Sequence, residues 1–412
     1  MMDGINAPGM SAALDGIKVL DFTQFEAGPS CTQALAWMGA EVVKVEEPKR
    51  GEPGRWAMTN REGADAHYFI FYNTNKKSVT CNLKSPEGKA LIEKMVKEVD
   101  VVVENMAPGT FARLGFDYAK LSELNPRIIF AQVKGFAPEG PHANYLAFDM
   151  IAQAAGGTFA INGMPDEPPV RPGATIGDTG TGMMAAMGIL GALFQRVTTG
   201  KGQHVQVAMR DAMVNYSRTP MSRQAAVEDG SLLPRLGNEV FGSAPSGLFP
   251  CKPGGLDDWA YIFPSRGNEE HWRRLCRIIG REDLIEDPRL QDTMSRYENK
   301  EVINKAIIAW TSQHTKKEVM ETIAGAGVPC GAVFNMKEQL EDEDLHARGI
   351  MTKIKHPVRG ELTVPATPIQ MSASKVAVQP PPLHGANNEE IYGSWLGLSA
   401  GEVKKMRADN VI

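Results

Sequence analysis

The sequence predicts an α/β protein: a doubly wound, Rossmann-like parallel sheet with a smaller α/β domain beside it. Two observations carry this. Short β-branched runs alternate with helical patterns in the first third of the chain, as in βαβ units. The length of 412 residues exceeds what one ordinary core organises, at roughly 150 residues per domain.

Ile17–Phe22 reads as the first strand, ended by a turn at Gly28-Pro29. A helical pattern over 31–38 follows and stops at Gly39, and residues 41–45 form the next strand. Pro86, a favourable first-turn residue, opens a helix to Glu98 that leads into the strand Val101–Val103. A third round places a helix over 118–124 and a strand over 127–133. Between 175 and 196 a loop opens into a helix that is small and apolar on every side, expected at the centre of the fold. Residues 233–258, rich in Pro and Gly, read as a crossing or active-site loop. Helical patterns over 271–279 and 299–324 suit a smaller unit; short strands return near 328–330 and 362–364, and Pro380–Pro382 precede a terminal helix.

Net charge is −5, with 44 basic against 49 acidic residues, so no basic excess exists for nucleic acid or an acidic membrane surface. Five scattered cysteines make no disulfide framework and suit a reducing cytoplasm. The first residues lack a basic and apolar leader pattern, and the longest uncharged stretch falls short of the roughly 20 apolar residues of a membrane span. A soluble cytoplasmic protein is expected.

GxSxG, HExxH, CxxC and GK[ST] motifs are absent, and the eight histidines stand singly, so no metal site is expected. FEAGPSCTQ after the first strand has one glycine where a nicotinamide fingerprint needs three, which disfavours a dehydrogenase. Asp178, in Gly177-Asp178-Thr179-Gly180 at the mouth of the apolar helix, is the sharper candidate. A carboxylate there is most often an ordinary cap, but Thr179 and Thr181 could do that job, and the glycines leave room for a substrate. Lys84, Arg113 and Lys134 lie near strand ends, where ligands bind in open α/β folds. Singly, each reads as a solvated charge, and Asn105, before Pro108-Gly109, as a turn former.

Long stretches of the chain are LDGIKVLDFTQFEAGPSCTQALAWMGAEVVKVEEP, NTNKKSVTCNLKSPEGKALIEKMVKEVDVVVENMAPGTFARLGFDYAKL, NPRIIFAQVKGF, GDTGTGMMAAMGILGAL, TGKGQHVQVAMRDA and GAGVPCGAVFNMKE. In this order they resemble class III CoA-transferases, the formyl-CoA transferase and carnitine CoA-transferase group. The resemblance runs through nearly the whole chain from Leu14. It implies that Asp178 is the nucleophile, attacking an acyl-CoA thioester and then carrying CoA as an aspartyl thioester. No permanently bound cofactor is implied; CoA and acyl-CoA enter as substrates. The implied CoA contacts are Glu26, Ala27, Asn82, Leu83, Lys84, Asn105, Met106, Ala107, Arg113, Lys134, Phe148 and Asp149.

This chain departs from formyl-CoA transferases at several of these places. They carry Gln where it has Glu26, and Arg and Lys where it has Glu47 and Leu146. Their glycine run followed by Gln is replaced by APSGLFPCKPGGLDDWAYI. The expectation is therefore a larger organic acid as acceptor, with a succinyl-CoA-like donor. Racemases of the same fold need a His before the Asp where Phe148 stands. A noncatalytic CoA-binding subunit would not need Asp178. The resemblance further implies ring-shaped chains in an interlocked homodimer, or a heteromer with a related subunit. Residues 14–220 would start the large domain, 221–330 form the small domain with linkers, and 331–412 return to the large domain and close it.

Overall fold

The computed structural model describes residues 12–264 and 267–412. They separate into two compact units. The first takes residues up to 158, 171–228 and 343–412; the second takes 159–170 and 229–342. The second unit differs from the expected 221–330: it leaves 221–228 to the first unit, runs on to 342, and adds 159–170, a turn-rich stretch without apolar periodicity.

Six parallel strands form the sheet of the first unit: β1 (Lys18–Phe22), β2 (Glu41–Glu46), β3 (Lys77–Thr80), β4 (Val101–Glu104), β5 (Ile129–Lys134) and β6 (His204–Ala208). Their order is β3-β2-β1-β4-β5-β6, the doubly wound arrangement. Helices between them are α1 (Ala27–Trp37), α2 (His67–Tyr72), α3 (Pro86–Glu98), α4 (Thr110–Arg113), α5 (Tyr118–Leu124), α6 (Asp149–Ala155) and α7 (Thr181–Thr199). The edge strands β3 and β6 were absent from the sequence reading; KSVT and HVQVA are short and mixed in polarity. Gly28 and Pro29 do not make the expected turn, because α1 starts at Ala27 and takes both into its first turn, where Pro needs no N–H partner.

Strand residues alternate between two cores, so both faces are dry and the strands read as continuous apolar runs. Leu20, Val43, Val102 and Phe130 face α3 and a C-terminal helix, Asn388–Leu396, through Leu91, Ile92, Ile391 and Tyr392. Val19, Val42, Val101 and Ile129 face α1 and α7 through Leu35, Ala185 and Ile189. The C-terminal segment also covers edge strand β3: Thr80 N–H donates to Asn388 Oδ1 at 2.8 Å, and the Tyr392 phenol donates to Thr80 O at 2.7 Å. The apolar helix α7 is not central. One face packs on α1 and the sheet, while Met187, Phe194 and Val197 on the other are exposed. A Cβ on Gly182 would meet Ala27 O at 2.4 Å, so glycine is what lets α7 approach α1.

In the second unit, β7 (Gly247–Pro250), β8 (Trp259–Ile262) and β9 (Cys330–Ala332) form an antiparallel sheet. It packs on helices Glu269–Ile278, Lys300–Thr311 and Lys316–Gly325 around Phe249, Ile262, Leu275, Ile307 and Ile323. β7 lies inside the stretch expected to be a loop. The hairpin β10 (Met351–His356) with β11 (Gly360–Pro365) belongs to the first unit. Among the described residues no helix is long and apolar enough to cross a membrane.

Candidate active site at the switch of the sheet

From β1 the chain goes to β2 on one side, and β1 pairs with β4 on the other, so the connections leave in opposite directions at their carboxyl ends. A crevice opens at such a point without help from any motif. Here it is a cleft of about 300 Å³, lined by 24–27 after β1, 105–108 after β4, 133–135 at the end of β5, 145–148, Asp178 and Met209.

Part-buried hydrogen bonds fix the walls that follow β1, β4 and β5. The Asn105 side chain accepts from Gln24 N–H at 2.7 Å and donates to Gln24 O at 2.8 Å, clamping the loop after β1. Phe25 is held at φ +62°, a conformation that non-glycine residues adopt at a cost on the order of 1–2 kcal/mol. Its ring meets Phe148 edge-on, with centroids 6.1 Å apart. Lys134 Nζ is 2.6 Å from Glu104 and donates to Met106 O at 2.7 Å, so this cation is committed to the β4–β5 ends.

Asp178 lies in a π-helical turn, Ile176–Gly180, immediately before α7, a distortion frequent at functional sites. It is not a cap, for its side chain makes no capping bond, and neither threonine caps α7: Thr181 Oγ1 donates to Gly177 O and Thr179 Oγ1 to Glu26. The backbone N–H groups of Gly177 and Asp178 donate to Asp149 Oδ1, at 2.9 and 3.3 Å. The expected room around the glycines is also filled, by Asp149 beside Gly177 and the Tyr216 ring beside Gly180. Asp149 itself is buried, with both oxygens held by Gln153 Nε2, and does not line the cleft. It positions the turn that carries Asp178.

Burial, then Glu26, then Asp149, push the Asp178 carboxyl up to about 7. Glu26 is buried and accepts from Thr179 Oγ1 at 2.7 Å and from the Tyr68 phenol at 3.4 Å. Tyr72 also lies against Glu26, Thr179 and Thr175. Tyr68, Tyr72, Thr179 and Gln24 were missed as site residues. Tyr68 and Tyr72 stand four apart on one face of α2, a spacing visible in HYFIFY but indistinguishable there from a packing stripe.

The cleft therefore gathers Asp178, Glu26, Ala27, Asn105, Met106, Ala107, Lys134 and Phe148, while Asn82, Leu83, Lys84, Arg113 and Asp149 are outside its lining. Lys84 and Arg113 are exposed, just past the carboxyl ends of β3 and β4. Asn82 is held to the C-terminus through Val411 O. Among the described residues no group of three His, Cys, Asp or Glu could hold a metal.

A doubly wound α/β protein with an uncompensated carboxyl pair at its switch point is the class that fold and site define. The comparisons with known proteins give the family. Residues 14–388 match the family described as CoA-transferase family III. A formyl-CoA:oxalate CoA-transferase of Streptomyces coelicolor is 39% identical over 411 residues, 97% of this chain and 99% of that protein. Among solved structures, a CAIB/BAIF family protein from Brucella suis aligns with TM-score 0.81 and 28% identity, over 93% of this chain and 99% of the other. A Mycobacterium tuberculosis protein aligns with TM-score 0.78 and 29% identity, over 92% and 99%. The chain belongs to the class III CoA-transferases, enzymes whose substrates are CoA thioesters.

Proposed function

We propose that the enzyme moves CoA from a succinyl-CoA-like donor to an organic acid through covalent intermediates on Asp178. A carboxylate oxygen of Asp178 attacks the donor thioester carbon; the C–S bond breaks, CoA leaves as thiolate, and a mixed anhydride forms. The thiolate attacks the aspartyl carbonyl, releasing the donor's carboxylate and leaving aspartyl-CoA. The acceptor carboxylate attacks that thioester and expels the thiolate, which then takes the acyl carbon of the second anhydride and frees Asp178.

The observation that carries this reading is the Asp178 carboxyl, presented on a π-helical turn into a cleft at the carboxyl ends of β1, β4 and β5. Glu26, Ala27, Asn105, Met106, Ala107 and Phe148 shape the channel for the thioester end of CoA. Lys84, Arg113 and Asn82 with Leu83, beyond the carboxyl ends of β3 and β4, serve its phosphates and nucleotide. Asp149 and Lys134 act by positioning.

Formyl-CoA and oxalate are the second donor–acceptor pair to consider, favoured by the name of the 39% identical relative. A racemase is disfavoured by the cleft lining, in which Phe148 carries no titratable proton and His142 takes no part. The reading also includes a cytoplasmic enzyme whose chains interlock as dimers.

Incubation with acyl-CoA and no acceptor, followed by hydroxylamine or borohydride and peptide mass spectrometry, should mark Asp178. Asp178→Ala should lose transfer by about a thousandfold or more. Full activity of that variant would reject the mechanism. A matrix of acyl-CoA donors against acids, with formyl-CoA and oxalate included, identifies the pair.

A further inference from the structure

The cleft holds a second carboxyl group without a counter-charge. Glu26 is 3% exposed, and the donors on its oxygens are neutral: Thr179 Oγ1 at 2.7 Å and the Tyr68 phenol at 3.4 Å. Among the described residues lining the cleft, Lys134 is the one Lys or Arg, and it is ion-paired with Glu104. The loop that carries Glu26 cannot easily turn it away, because Asn105 clamps Gln24 and Glu26 O accepts from Ser30 N–H inside α1.

We infer that Glu26 is a specificity-determining residue, whose buried charge selects against acceptor acids with a second carboxylate next to the reacting one. Monocarboxylates, and acids whose second charge lies several carbons away, are the favoured class. This rests on Asp178 as the carrier of CoA.

When the acceptor arrives, Asp178 is a neutral thioester, and Glu26 is the cleft anion still facing the incoming acid. An acceptor oxygen attacks the aspartyl carbonyl carbon, the C–S bond breaks, and CoA leaves as thiolate with the electron pair. A monocarboxylate spends its one charge in that bond. A vicinal dicarboxylate keeps its second charge in the same cleft as Glu26. At an effective dielectric of about 20 and a separation of about 6–12 Å, that repulsion amounts to roughly ten- to a hundredfold in rate. The same carboxylate contributes to the raised Asp178 carboxyl, after burial and ahead of Asp149, while Tyr68 and Tyr72 face the pair from α2.

The test is competition between oxalate and propionate for one acyl-CoA donor, in the wild type, Glu26→Gln and Glu26→Asp. The Gln variant keeps the shape and can still accept from Thr179. It should raise the oxalate-to-propionate ratio of kcat/KM by roughly ten- to a hundredfold, and lower the pH at which the Asp178 adduct half-forms. The Asp variant keeps the charge and should keep the wild-type preference. Each ratio is internal to one protein, so a loss of folded material does not affect it. An unchanged ratio in the Gln variant, or no oxalate turnover in either protein, overturns the inference. The Asp178 adduct, read in parallel on the wild type, separates the two readings. With the adduct present, an unchanged ratio rejects only the role of Glu26; without the adduct, both fall.

Discussion

Two buried acids of the first unit, Asp21 in β1 and Asp178 at the cleft, are held in opposite ways. Asp21, at the end of β1, accepts from Lys76 Nζ at 3.0 Å, Thr32 Oγ1 at 2.7 Å and Thr23 N–H at 2.8 Å, with Lys44 at 3.9 Å. Burial pushes its carboxyl up, but Lys44, Lys76 and the two threonine hydroxyls outweigh it and hold it at about 2. Asp178, also buried though less completely, has Glu26 and Asp149 for neighbours and goes up to about 7. Desolvation alone therefore does not set the charge of a buried acid; its neighbours do. Asp21 is a permanent anion that fixes the loop after β1, whereas Asp178 is stored near the point where its proton leaves.

Removing each charge should break this comparison in opposite directions. Asp21→Asn leaves Lys76 in the core without its carboxylate, while Lys44 keeps Glu52 at 2.7 Å, and should lower stability by about 3–5 kcal/mol, read by denaturant unfolding. Asp178→Asn removes a repelled carboxylate and should raise stability at pH 8 by on the order of 2 kcal/mol, although it abolishes adduct formation. A loss of stability in the second variant would show that Asp178 is compensated after all.

The pH dependence sharpens the contrast. Asp178 binds its proton more tightly folded than unfolded. The stability this adds is full below about 4 and is lost as the pH rises through about 7. Asp21 is the reverse: its contribution is full above about 4 and disappears as the pH falls toward 2. The melting-temperature gap between Asp178→Asn and wild type should accordingly widen from pH 5 to pH 8. Adduct formation, which needs the ionised carboxylate, should rise over the same interval. The smallest effect belongs to the exposed cations. Lys84→Ala and Arg113→Ala should each raise KM for acyl-CoA a few-fold, more than they lower kcat, and less so in high salt.

The central strands, α3 and α5 were legible because both sheet faces are buried, leaving unbroken Val/Ile/Phe runs between capped helices. Edge strands β3 and β6 were not, since each has a neighbour on one side only and mixes Lys, Ser, Gln and His with its valines. Asp178 was legible from its place beside glycines at a helix mouth. The reason for the glycines was not: they admit Asp149 and Tyr216 rather than substrate. Asn105 reads locally as a turn former, but its partner is Gln24, 81 residues earlier.

By itself the sequence determined the α/β class, the long apolar helix behind Asp178 and the residue types able to do acyl chemistry, because hydrophobic period and helix-end signals are local. Only the tertiary structure decided which acid would be fixed and which reactive. That depends on the cations within a few ångströms, and Lys44 and Lys76 reach Asp21 only because β2 and β3 fold to one side of β1. Among the described residues, no such strand brings a lysine to Asp178.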